Sequence, residues 1–229
     1  MNSTKKTARI AGVLYFVNAV TGLFSIIYVP SKLFVSGNAA ATAHNILASE
    51  WLFRLGIASE VICAVEYIYL LSVLYRLLSG VSKAHASLMV IFGVAFVPVM
   101  CMNAVSQTAA LMLLRGANFL PVFSQPQRES LALLFLDVRR SGYDVGWIFG
   151  LWLFHFGVCV WRSGFLPRFL GALLIAACFG YLSVSLTTFL LPSYVNIVSR
   201  LANIPLTLGE PATILWFLIR GAEDRPLQA

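Results

Sequence analysis

Three carboxylates lie in stretches apolar enough to cross a bilayer: Glu60 and Glu66 in the run Leu52–Leu78, and Glu210 in the run Ile197–Ile219. A charge at mid-membrane costs on the order of 3 kcal/mol on insertion scales, so a chain keeps one there where it has a partner or a task. Six residues of helix separate Glu60 from Glu66 by roughly 9 Å along the axis and about 120° around it, so the two cannot face one partner. Asn103 and Gln107, four residues apart in another apolar run, share a helix face. His155 is the one histidine inside an expected span, and His44 and His85 fall in links. Glu60, Glu66, Asn103, Gln107, His155 and Glu210 are therefore the candidate lining of a polar intramembrane cavity. Around Glu210, the order Gly209-Glu210-Pro211 is expected to loosen the helix, because proline removes a backbone bond and glycine adds freedom. A discontinuous helix beside a buried charge is one way to build an ion or solute site.

A structural reading stands beside this one. Arg54 can pair with Asp144, Arg200 with a glutamate, and Asn103 and Gln107 across helices, each contributing about 1 kcal/mol or less. Even so, two to three central acidic groups against a single histidine leave a carboxylate without an obvious partner, which makes it a functional candidate. Other chemistries lack their residues. No HExxH occurs and no second histidine is near His155 in sequence, so no metal site is expected. There is no GxSxG and no glycine-rich nucleotide loop, and no cofactor is expected. Cys63, Cys101, Cys159 and Cys178 all fall inside spans without a CxxC pair, as small apolar filler does.

The elements that must position these residues are membrane helices. Hydrophobic residues make up 59% of the 229 and charged residues 11%, against about 25% charged in soluble domains. The net charge of +7 comes from basic residues set singly or in pairs beside apolar runs. That is the placement of snorkelling anchors, and it speaks against nucleic acid as a partner. The fold class is all-α: a polytopic membrane helix bundle forming a single domain over 1–229. Six transmembrane helices are expected at about 10–29, 52–76, 88–114, 143–161, 169–191 and 197–219. The first is read as a retained helix stopped at Pro30, because it is longer than a signal-peptide core and no Ala-x-Ala follows closely. A short surface helix is expected over 39–49, after the turn signal Ser36-Gly37-Asn38. Residues 128–140 read as a short interfacial helix in the long third link, apolar from Leu131 to Leu136 between charged flanks that include Arg139. Pro98 is expected to kink the third span, and Pro205 and Pro211 to break the sixth. The lysine and arginine distribution places both termini in the cytoplasm. Arg54, Asp144, Arg162, Arg168 and Arg200 read as structural or headgroup anchors.

The run Phe154–Leu182, with Ser163–Gly171 (SGFLPRFLG) as its most specific block, joins ARIAGVLYFV near the start, LFRLGIAS in the second span and the late GEP…LWFLIRG. In this order, over nearly the whole chain, these blocks resemble the bacterial domain-of-unknown-function family 4386. The resemblance implies a multi-helix protein of the bacterial inner membrane and carries no catalytic residues. Three functions remain open. The first is binding or sensing of a small molecule or lipid in the polar cavity. The second is a small proton- or ion-coupled transporter using the three glutamates. The third is an intramembrane lipid-modifying enzyme with His155 and a glutamate as acid and base. The expected partners are the bilayer and such a ligand, and a carrier this small would be expected to form a homo-oligomer.

Overall fold

The structure is a computed structural model and describes residues 4–116, 121–146 and 150–223. Every regular element among them is a helix: α1 (Thr4–Leu23), α2 (Val29–Leu33), α3 (Ala39–Ala48), α4 (Glu50–Leu78), α5 (Lys83–Arg115), α6 (Gln125–Gly146), α7 (Leu151–Ser163), α8 (Arg168–Leu190) and α9 (Val195–Ile219). A π-helical turn, Phe24–Tyr28, joins α1 to α2, and a 3₁₀ turn, Pro192–Tyr194, leads into α9. Among the described residues, five helices are long and apolar enough to cross a membrane: Thr4–Leu33, Glu50–Leu78, Lys83–Arg115, Arg168–Leu190 and Pro192–Ile219. Large apolar side chains such as Ile27, Tyr69, Ile91, Met102, Phe179 and Leu201 stand exposed along them, as lipid-facing residues do, since hydrocarbon is an apolar solvent.

Close packing divides the chain into two units. Met1–Val17, Glu66–Val97 and Asp144–Ala229 form the first, and Asn18–Val65 with Pro98–Tyr143 form the second. The chain passes from one to the other within α1, α4, α5 and α6, and on α5 the change falls at Pro98.

Within the first unit, α7, α8 and α9 pack in sequence on small residues. A Cβ built on Gly157 would stand 2.7 Å from the Gly171 carbonyl oxygen, and one on Gly171 only 2.6 Å from that of Gly157, so these two backbones touch where no side chain fits. Gly209 plays the same part for α9, with its Cβ position 2.9 Å from the Leu173 carbonyl oxygen. Ser163-Gly164 ends α7 as the sequence implies. Gly164 takes the left-handed conformation at φ 69°, and Pro167 precedes the first residue of α8.

The second unit is built around Ile46 of α3, Phe53 of α4, Val29 and Leu33 of α2, and Leu111 of α5, with Ala132 and Leu136 of α6 packed against them. Asn38 caps α3 by accepting from the Ala41 N–H at 2.9 Å, after a left-handed Gly37. The helix expected at the surface over 39–49 thus sends Ile46 into the core.

Several expected boundaries move. The first apolar helix does not stop at Pro30. The π turn absorbs the missing proline N–H, and helix resumes to Leu33. Neither Pro205 nor Pro211 breaks α9, which is continuous from Val195 to Ile219; proline is tolerated inside membrane helices. The helix expected over 128–140 is longer, Gln125–Gly146, and takes in the start of the expected fourth span. The remainder of that span is α7, 13 residues long, and residues 147–149 lie outside the described residues.

Candidate functional site

Glu60 in the second unit and Glu210 in the first each gather a cluster of hydrogen-bond donors. In the second unit the local cause is Pro30. Val29 donates its N–H five residues back, to the Phe24 carbonyl, and Pro30 has none to give. The Ser25 carbonyl is left without its backbone donor, and Arg139 of α6 fills the place, donating from Nη2 at 2.9 Å. The same guanidinium meets Glu60 of α4, with Nη2 at 3.2 Å and Nε at 3.3 Å from Oε2. Gln107 Nε2 donates to Oε2 at 2.7 Å, and the Tyr143 hydroxyl donates to Oε1 at 2.6 Å. Glu60 is 1% exposed and Arg139 4%. This is a dry ion pair whose acceptors and donors are closely matched, which is the condition for such a pair to stand in a low dielectric. Arg139 and Tyr143, one helical turn apart, also stack, with the guanidinium carbon 5.2 Å from the ring centre. Asn103 is buried beside them. Its Oδ1 would lie 2.3 Å from a Cβ at Gly142, so a side chain there would have to displace the Asn103 amide. Its Nδ2 is the buried side-chain nitrogen without a hydrogen-bond partner among the described residues.

In the first unit Glu210, near the middle of α9, receives two phenols. Tyr181 of α8 donates to Oε1 at 2.8 Å, and Tyr15 of α1 donates to Oε2. No lysine, arginine or histidine among the described residues makes an ion pair with it. Tyr15 and Tyr67 flank Trp152, with ring centres 6.1 and 5.5 Å away, and Trp152 stacks on Phe156 at 5.7 Å. One wall of the carboxylate's surroundings is therefore aromatic, with hydroxyls as its polar handles. Such a group can keep a proton, or hold a cation, without displacing a resident positive side chain. In the same unit the Nδ1 atoms of His85 and His155 stand 2.9 Å apart. One ring must donate and the other accept across that distance. Phe92 stacks on the His155 ring at 5.6 Å.

The sequence-derived candidates thus separate. Glu60, Asn103 and Gln107 lie in the second unit, whereas Glu66, His155 and Glu210 lie in the first. His85, placed by the sequence in a link, belongs to α5 and pairs with His155, because α5 begins at Lys83. Arg54, for which Asp144 is the candidate partner in sequence, is bonded to Glu50 one turn back at 2.7 Å, and Arg115 meets the other Glu50 oxygen at 3.4 Å. Asp144 offers its backbone carbonyl to Ser185. Arg162, Arg168 and Arg200 are exposed. Arg139, read from sequence as a flank of an interfacial helix, is instead the buried counter-ion. Its only trace in sequence was the spacing Arg139–Tyr143, which puts a cation and a hydroxyl on one helix face but does not tell an inward cation from a snorkelling one. Tyr15 and Tyr181 had no comparable signal, because a tyrosine in an apolar run is ordinary.

Fold and clusters together define a membrane helix bundle with acidic groups inside its apolar helices. The chain belongs to the family described as a domain of unknown function (DUF4386), whose model matches residues 10–221. No curated protein and no solved structure matches the chain.

Proposed function

We propose that the protein is a multi-pass protein of the bacterial inner membrane that binds or senses a small molecule in a polar intramembrane site centred on Glu210. In this reading it has six spans, the fourth formed across 143–161, and both termini are cytoplasmic. The observation that carries the site is the Glu210 carboxylate, held mid-helix by the Tyr15 and Tyr181 hydroxyls with no cation paired to it among the described residues. An intramembrane acidic group left uncompensated by the protein is the default place for a ligand or a transported ion. Glu60 has no such vacancy, since Arg139, Gln107 and Tyr143 occupy its oxygens. The same feature favours proton- or ion-coupled transport as a second reading, because a carboxylate without a fixed counter-ion can exchange its proton or cation.

The test is native mass spectrometry of protein purified in mild detergent. A small molecule retained by the wild type and by Cys101→Ser, and lost in Glu210→Gln, supports the reading. Retention by Glu210→Gln overturns it. Proton-coupled uptake into liposomes that Glu210→Gln abolishes would give the transport reading precedence. Reporter fusions at the C-terminus are expected to be active on the cytoplasmic side, and a periplasmic signal would refute the six-span topology.

A further inference from the structure

We infer that the end of the first unit where α1 begins and α9 ends is a binding site for the headgroup of an anionic phospholipid. This inference is independent of the Glu210 reading. A hollow of about 400 Å³ is bounded by Phe165 and Pro167 of the α7–α8 turn, Trp216 and Arg220 at the end of α9, and Lys5 of α1. Lys5 also lines a second hollow, of about 580 Å³, with Lys6 and Arg9 on one side and Ile10, Val13 and Leu14 on the other. Among the described residues, four cations (Lys5, Lys6, Arg9 and Arg220) thus line the two hollows, with the carboxylate of Glu223 beside them. All four cations are exposed.

The arrangement is held together by the backbone. Glu223 N–H donates to the Phe165 carbonyl at 3.2 Å, and Thr4 Oγ1 donates to the Glu223 carbonyl at 2.6 Å. Gly221, left-handed at φ 71°, would place a Cβ 3.2 Å from Lys5 Cγ and 3.4 Å from Arg9 Cγ. The stems of both cations therefore lie against the end of α9, and a side chain at 221 would push them away. Just beyond the cations, Ile10 is 45% exposed and Val13 53%, within the stretch Thr4–Leu33 that is long and apolar enough to cross a membrane. Cations beside exposed apolar surface, at the level where a span begins, match a ligand with an anionic head and an acyl tail. A free phosphate would use the cations and leave the apolar wall without a role.

The test is lipid binding to the full chain, delipidated in detergent and titrated with phosphatidylglycerol or phosphatidylcholine under native mass spectrometry. Wild type is expected to prefer phosphatidylglycerol, and Lys5→Gln/Arg220→Gln to lose roughly fivefold in that preference per cation removed. Arg200→Gln, which removes an exposed cation from the other end of α9, is expected to keep it. Should the double variant fail to fold, Arg220→Gln against Arg220→Lys gives the same reading, with the lysine variant retaining the lipid. Equal binding of the two lipids by wild type, or an equal loss in Arg200→Gln, overturns the inference. Displacement of phosphatidylglycerol by millimolar inorganic phosphate would assign the site to a free anion and overturn the lipid.

Discussion

Glu60 and Glu210 are carboxylates of the same kind, each inside a long apolar helix, and the two units treat them in opposite ways. Glu60 is enclosed and neutralised: a guanidinium, an amide and a phenol meet its two oxygens, and the guanidinium is itself held by a carbonyl that a proline set free. Glu210 is only solvated, by two hydroxyls that carry no charge. The contrast separates structural charge from functional charge. A buried ion whose partners are all supplied by the protein contributes to the architecture, and its removal shows up as instability. An intramembrane carboxylate solvated but not neutralised leaves room for a proton or a ligand, and its removal should leave the fold in place.

The largest expected effect is on the Glu60 side. Arg139→Met leaves Glu60 buried without its counter-ion, and the expected loss is about 3–5 kcal/mol, read as a strongly lowered unfolding midpoint in mild detergent. An unchanged midpoint would mean that the pair is not the second unit's keystone. Adding Glu60→Leu to Arg139→Met removes the orphaned charge, so the double variant is expected to melt above the single one, since apolar replacement of a whole buried pair is often nearly neutral.

Next comes a change that strikes the first unit without touching charge. Gly171→Ala forces a methyl group to within 2.6 Å of the Gly157 carbonyl oxygen. Overpacking of this kind is expected to cost about 1–3 kcal/mol. If it costs nothing, the first unit does not depend on the close approach of α7 and α8.

The smallest effects belong to Glu210. Tyr181→Phe removes one hydroxyl donor and is expected to cost about 1 kcal/mol. Glu210→Gln keeps a hydrogen-bonding group of the same shape and strands no cation, so its midpoint is expected to move by less than about 1 kcal/mol equivalent while ligand retention or uptake is lost. A collapse of Glu210→Gln comparable to that of Arg139→Met would erase the distinction between the two clusters.

Much of this molecule was legible in the residues. The apolar runs with few charges require helices in a membrane, because only a helix satisfies its own backbone there. The polar positions inside those runs mark where the interior must be unusual. Glu60 with Gln107 illustrates this, since both stood out by cost alone and the structure joins them at 2.7 Å. Partner choice was not legible. Arg139 lies 79 residues from Glu60, and nothing local distinguishes a cation that snorkels from one that turns inward. Gly209 shows the same limit: in sequence it reads as a loosening of α9, whereas its use is contact with the Leu173 carbonyl of α8.

What the sequence alone determined, then, is the solvent and the secondary structure, both properties of composition and of hydrogen bonding along one helix. It also determined that Glu60, Glu66 and Glu210 need an explanation, because burial cost depends on residue type and depth. Only the tertiary structure decided which explanation Glu60 and Glu210 receive. Whether an intramembrane carboxylate meets a guanidinium or a pair of phenols depends on which faces of distant helices come together. That pairing gave Glu60 to Arg139 and Glu210 to Tyr15 and Tyr181.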